Sequence, residues 1–342
     1  MCIAAAAAGI GVTRFVNSFG DSTLANDATR NPQSIIIAQQ GTDPMTITFK
    51  GTQGSGANKH EGRGGWKISD YATVGRTFYR FDLTGLASNP GVGDIYSSNG
   101  SQFTVREVNI TAGTGYFSTE RTTGSTTPTA GPSTLTKVSG VGPASISYNT
   151  TSVATGNPLW DGTVVNYSHY LIANSIVMNS GDWFTIHLGI NDVFGFTDDG
   201  SLLATINTMV IQLRAILTSV HTAVSGIRCG IMIAIPPAIS QDGFGYSYLT
   251  GQTLKRYYKN IQAWQMRLIA EFSNSTEETA GNYLIPFCCV LDRTYNMQKA
   301  LYAANDCNSA DQVSMQTNGV HPAPGGYDQI GIQQKAVIKY YA

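Results

Sequence analysis

Apolar and polar positions change their period three times along this 342-residue chain. Near the start, Arg14-Phe15-Val16-Asn17-Ser18-Phe19 is short and rich in β-formers, and Gly20-Asp21-Ser22 follows at once, which predicts a strand entering a turn and then a helix. Residues 45–50, MTITFK, alternate as a second strand should and lead into the glycine-rich loop GTQGSGANKHEGRGGW. From about 77 to 158 the pattern becomes short β-like pieces such as QFTVREVNI and ASISYNT, separated by Gly, Thr, Ser and Pro clusters, which reads as a β-rich insertion. Longer periods then return. Trp183–Leu188 is a buried-type strand, and Ser201 to Val224 carries Leu203, Ile206, Val210, Leu213, Ile216, Leu217 and Val220 at helical spacing. The strand CGIMIAI stops at Pro236-Pro237, a helix spans roughly 252–272, YLIPFCCVL reads as a strand, and a last helix covers roughly 325–341.

Strand and helix alternate outside the insertion, which argues for a parallel sheet with helices on both faces and for chemistry on loops at the carboxyl ends of the strands. The expected organisation is an N-terminal extension or linker over 1–13, an α/β domain over 14–76 and 158–342, and the β-rich insertion over 77–157 as a possible subdomain.

Composition narrows the partners. Only 13% of residues are charged, against roughly 25% in ordinary globular chains, and 21 basic against 22 acidic residues leave a net charge of −1. That balance offers no footprint for nucleic acid or an anionic membrane. No run of about 18 apolar residues suggests a membrane span. An uncharged surface rich in glycine and hydroxyl groups fits an extracellular, cell-surface or virion-associated protein, although the N-terminus lacks the basic region of a clear signal peptide. The five cysteines, Cys2, Cys229, Cys288, Cys289 and Cys307, are odd in number and without CxxC spacing, so neither a disulfide framework nor a metal site is expected. Cys288 and Cys289 read as small hydrophobes within a strand.

A serine hydroxyl becomes a nucleophile only beside a base, and the oxyanion it creates needs preorganised donors. Ser22 follows a strand at the expected start of a helix, Gly64 and Gly65 allow close backbone approach, Asn191 lies just beyond a buried strand, and His321 sits in a loop before the last helix. Asp21 and Asp192 are expected to support loops, and His187 and His221 to be structural or surface groups.

At these residues the chain resembles the SGNH (GDSL-like) hydrolase family. FGDSTL matches its nucleophile block, HEGRGGW its glycine block, LGIND its GxND block and GVHPAPGGY the block of its base, in that order. The resemblance implies a flavodoxin-like three-layer α/β sandwich. It implies Ser22 as nucleophile, His321 as base, and an oxyanion hole of the Ser22 and Gly65 amides with the Asn191 side chain. It also implies no cofactor, and small acyl esters, above all O-acetyl groups on carbohydrate, as substrates. Gly64, Trp66 and Tyr327 are candidates for the substrate cleft, with Trp160 a further aromatic; core packing explains the aromatics equally well. The family's acidic residue three positions before the histidine is replaced by Asn318. Loss of that carboxylate cost about 10⁴ in kcat in a worked triad, so a backbone carbonyl, Asp306 or Asp311 could hold the ring instead. An inactive glycan-binding or virion module, and a lipase or thioesterase, are the alternatives; the oligomeric state stays open.

Overall fold

The structure is a computed structural model that describes residues 11–25, 30–73, 77–249 and 251–342. Cys2 and nearly all of the expected N-terminal extension lie outside the described residues. The chain divides into two compact units, Met1–Ser69 with Asn166–Ala342, and Asp70–Val165.

In the first unit, strand β1 (Thr13–Gly20) is followed by helix α1 (Pro32–Ala38), β2 (Thr46–Lys50) and the two-residue strand β3 (Glu61–Gly62). Helix α2 (Ile68–Ala72) leads into the second unit, whose strands are β4 (Thr77–Leu83), β5 (Ile95–Ser98), β6 (Ser101–Thr111), β7 (Thr114–Thr123), β8 (Ser133–Ser139), β9 (Ser145–Tyr148) and β10 (Thr150–Thr155). The first unit resumes with α3 (Tyr167–Ala173), β11 (Trp183–His187), α4 (Ile190–Val193), α5 (Asp199–Ala223) and β12 (Arg228–Met232). Then come α6 (Asp242–Tyr248), α7 (Leu254–Phe272), α8 (Ser275–Thr279), β13 (Asn282–Ile285), the hairpin β14 (Lys299–Asn305) and β15 (Asn308–Gln316), and α9 (Pro324–Tyr340).

The parallel sheet has the order β13-β12-β11-β1-β2, with β3 also paired to β1. Counting only these long strands, that is the doubly wound order 2-1-3-4-5, in a three-layer α/β sandwich. Burial follows position. All five residues of β11 are buried, as a central strand covered on both faces requires, whereas β2 alternates exposed and buried at the edge. The layers are tied by buried polar groups: the Ser18 hydroxyl accepts from Thr185 Oγ1 at 2.8 Å and from Gln33 Nε2 at 3.0 Å, joining β1, β11 and α1.

Several elements differ from expectation. No helix starts at Ser22: Leu24 and Ala25 bond back to the Asp21 carbonyl in a single turn, and α1 begins only at Pro32, capped by Asn31. The strand expected over YLIPFCCVL ends at Ile285, because Pro286 turns the chain and Phe287–Cys289 winds as a 3-10 turn. Helix α6 and the hairpin β14–β15 were not expected. Helix α5 has the length and apolar content of a membrane-spanning segment, and it buries the row Leu202, Ile206, Met209, Leu213, Ile216 and Val220.

The second unit is a seven-stranded antiparallel sheet, order β10-β4-β7-β6-β5-β8-β9. Alternation along β4 buries Tyr79, Phe81 and Leu83, and Phe81 stacks on Phe117 at 5.1 Å and meets Tyr148 edge-on at 4.8 Å.

Helices α1 and α9 approach so closely at Gly331 that a Cβ there would lie 2.0 Å from the Pro32 carbonyl oxygen. Helix propensity alone favours alanine over glycine by about 1 kcal/mol, while overpacking against backbone costs roughly 1–3 kcal/mol. Gly331→Ala should therefore lower the urea midpoint; an equal or higher midpoint would show that the two helices can part without cost.

Candidate active site

Pairing between the two central strands ends with Gly20 opposite His187, and the Asp21 amide makes one last bond to the His187 carbonyl at 3.2 Å. Beyond this point the chain leaves β1 toward α1 and leaves β11 toward α5, so a crevice opens at the carboxyl edge where the strand order reverses. Ser22 stands two residues past β1. The Asp21 carboxylate is buried beneath it and accepts from the Thr23 amide and hydroxyl, both at 2.8 Å, which fixes the turn. Burial outweighs those bonds and raises the Asp21 pKa to about 6.

His321 reaches the same crevice from the loop before α9, and its Nε2 lies 3.2 Å from Ser22 Oγ. Four hydrogen bonds hold that loop. Asn318 Oδ1 accepts from the backbone amides of Val320 at 2.9 Å and His321 at 2.8 Å, and from the Tyr248 hydroxyl at 3.2 Å. The Gly319 carbonyl accepts from the Ala238 amide at 3.0 Å. Asn318 thus braces the loop rather than the ring. What faces His321 Nδ1 is the Tyr327 hydroxyl, at 3.4 Å, from the first turn of α9. Tyr327 is only 1% exposed, and burial pushes its hydroxyl pKa up. Asp306 and Asp311, considered above for this role, sit in the exposed turn and outer strand of the β14–β15 hairpin, where Asp311 bonds Asn308 at 2.8 Å.

The glycine loop is fastened by a buried carboxylate. Glu61, fully buried, accepts from the Tyr170 hydroxyl at 2.8 Å, Thr52 Oγ1 at 3.0 Å and Arg63 at 2.9 Å, so its charge is matched. The Arg63 amide bonds the Gly20 carbonyl at 2.9 Å, which draws the loop against the nucleophile turn. Gly65 takes φ of +74°, a conformation that favours glycine. Asn191 Nδ2 donates to the Trp66 carbonyl at 3.0 Å, and the Asp192 carboxylate accepts from the Ile68 amide at 3.1 Å. Gly189, which caps α4 from the residue before it, has φ of +115°, and a Cβ there would lie 2.0 Å from Trp264 Nε1. Serine turn, glycine loop and asparagine turn are therefore mutually braced.

Trp66 and Tyr327, expected as cleft residues, are both only 1% exposed, while Gly64 and Gly65 are exposed. Trp160 belongs to the second unit. The other histidines are occupied elsewhere. His187 is buried and its pKa falls to about 3 through burial, with His60 adding to the effect; His221 bonds Asn282 at 2.9 Å; His60 Nδ1 accepts from the Gly62 amide at 3.0 Å; His169 is exposed on α3. Sequence reasoning missed Tyr327 as partner of the ring; the signal available was an aromatic hydroxyl six residues after the histidine, at a helix start.

A serine and a histidine are in contact at the switch point of a parallel sheet, with glycine and asparagine turns beside them. No family model matches the chain, and no curated protein does. Solved structures do. A family 3 carbohydrate esterase of Clostridium thermocellum is 12% identical with a TM-score of 0.42, over 94% of this chain and 93% of that one. A carbohydrate esterase family 3 structure from Talaromyces cellulolyticus is 13% identical with a TM-score of 0.42, over 95% and 98%. Est24, a carbohydrate acetylesterase from Sinorhizobium meliloti, is 12% identical with a TM-score of 0.37, over 95% and 98%. At these scores the likeness bears on neither substrate nor mechanism.

Burial, with the nearby Arg30 guanidinium, lowers the His321 pKa below the ordinary 6.5. The ring is then neutral at pH 7, as a base must be. As pH falls below about 6.5 the unfolded chain takes up this proton first, so the group's contribution weakens the fold toward acid. An NMR titration of the His321 ring should show a midpoint below 6.5; a midpoint above it would contradict the buried, Arg30-facing setting.

Proposed function

We propose that this protein is a serine esterase that hydrolyses small acyl esters, above all O-acetyl groups on carbohydrate, through an acyl-Ser22 intermediate. The observation that carries the reading is the 3.2 Å contact between Ser22 Oγ and His321 Nε2 at the carboxyl edge of the sheet. In this reading His321 Nε2 takes the serine proton as Oγ attacks the ester carbonyl, then returns it to the departing alcohol. Water, deprotonated by the same nitrogen, releases the acid. The Ser22 and Gly65 amides with the Asn191 side chain receive the oxyanion. The Tyr327 hydroxyl oxygen accepts a hydrogen bond from Nδ1–H, which holds the proton on Nδ1 and keeps Nε2 free to act as the base.

Support for a carbohydrate comes from the surface beside the histidine loop. Helix α6 is pinned there by Ser247, which donates to the Thr317 carbonyl, and by Tyr248. On its outer side Tyr246 is 63% exposed and meets Tyr302 of β14 edge-on at 6.0 Å. An exposed tyrosine offers an apolar ring face and a hydroxyl together, which suits a sugar ring. Asn318 favours a second reading, a glycan-binding module without turnover, because the position of the usual carboxylate braces a loop.

Wild-type protein should release p-nitrophenol from p-nitrophenyl acetate and Ser22→Ala should not; equal rates would sink the esterase reading, and binding of acetylated glycan without any turnover would establish the second. Tyr327→Phe should lower kcat about tenfold, the worth of one hydrogen bond of about 1.4 kcal/mol, with KM little changed. Tyr246→Ala should raise KM for an acetylated oligosaccharide while sparing p-nitrophenyl acetate; loss on both substrates would place Tyr246 in a structural role. A rate that climbs with acyl chain length would point to a lipase or thioesterase.

A further inference from the structure

Cys288 and Cys289 are adjacent in the chain and adjacent in space. Their sulfurs lie 3.5 Å apart in the 3-10 turn Phe287–Cys289, with Cys289 exposed and Cys288 half-buried. The turn follows Pro286, past Ile285, the last residue of β13 paired in the sheet.

We propose that this pair is a binding site for a thiophilic trivalent centre of the organoarsenical class, held by both sulfurs at once. Two arguments select that class over the alternatives. First, consecutive Cα atoms stand about 3.8 Å apart, below the roughly 4.4–6.8 Å that ordinary disulfides span, so a direct sulfur–sulfur bond must distort the turn. A centre inserted between the sulfurs leaves them near their present separation: with metal–thiolate-like bonds of about 2.3 Å at the near-right angles of a pyramidal trivalent centre, the sulfurs stand roughly 3.3 Å apart, against the 3.5 Å present. Second, no group of three or more His, Cys, Asp or Glu side chains is placed to hold a metal among the described residues. Zinc, which takes four such ligands in structural sites and three in catalytic ones, is poorly served by two thiols. Arsenic(III) bearing one organic substituent has only two positions to fill, and thiolates are the ligands that soft centres select.

Burial, then the neighbouring Cys289 thiol, raises the Cys288 pKa to about 12. The Cys288 thiol therefore stays protonated at neutral pH and is quiet toward reagents that need a single thiolate. The binding step needs no oxidant. An arsenoxide R–As=O and two thiols form two As–S bonds; both S–H protons leave with the oxide oxygen as one water, and arsenic stays trivalent. Cys229 is buried, and Cys307 is exposed in the β14–β15 turn.

The test treats the full chain with phenylarsine oxide and follows it by intact mass and peptide mapping. One arsenical per chain is expected on the peptide carrying Cys288 and Cys289. It should survive excess 2-mercaptoethanol and be removed by 2,3-dimercaptopropanol, the difference that two-point attachment makes. C288S and C289S should each lose the monothiol-resistant adduct, and C307S should keep it. An adduct on the wild-type chain that 2-mercaptoethanol strips, one that persists in C288S, or one that maps to another cysteine would overturn the proposal. The wild-type comparison of monothiol and dithiol decides the matter even if a variant misfolds.

Discussion

The candidate site depends on one constraint: two central strands, hydrogen-bonded as far as Gly20 and His187, must part at the carboxyl edge of the sheet. A fully covered parallel sheet leaves no other place where backbone can turn outward beside water without abandoning buried polar groups. The last bond, from the Asp21 amide to the His187 carbonyl, fixes where the parting occurs. Ser22 emerges on one side of the opening and Asn191 on the other, and the remaining loops are fitted to that gap.

Those loops are not held by apolar burial alone. Glu61, Asp192 and Asn318 each place a side-chain oxygen where backbone amides or hydroxyls would otherwise lack a partner. Such arrangements are costly if half satisfied and stiff if complete. The glycine loop, rich in residues that favour disorder, is stiffened by the fully buried Glu61. The same logic explains Gly189, where the left-handed turn and the Trp264 indole together leave no room for a side chain.

Much of this was legible in the sequence because it obeys local rules. The period of residues 201–224, the β-branched and aromatic runs at 14–19 and 183–188, and the four blocks found in order along the chain sufficed to bring Ser22, Asn191 and His321 to attention. The failures have physical reasons. DGFGYSY has two glycines and no apolar stripe, so α6 gave no helical signal; its order comes from packing against the histidine loop. The hairpin β14–β15 is largely exposed on both faces and lacks the alternation that a half-buried strand shows. The helix expected after Ser22 is replaced by one turn closed on the Asp21 carbonyl. Tyr327 was weighed as cleft or core because its hydroxyl acquires meaning only when the first turn of α9 swings it under the imidazole.

That hydroxyl changes the character of the base. A carboxylate opposite the ring would offset the positive charge that the imidazole gains during proton transfer; a buried neutral phenol does not. In the proposed reaction the imidazolium and the oxyanion then face each other inside one small crevice, and the nearby Arg30 guanidinium opposes the imidazolium charge further. Such a base gives its proton back readily, which speeds departure of the alcohol. It takes that proton reluctantly, so the attack of Ser22 leans on the amide donors that receive the negative charge. A phenol in this position shifts the burden of catalysis from the histidine's side of the substrate to the oxyanion's.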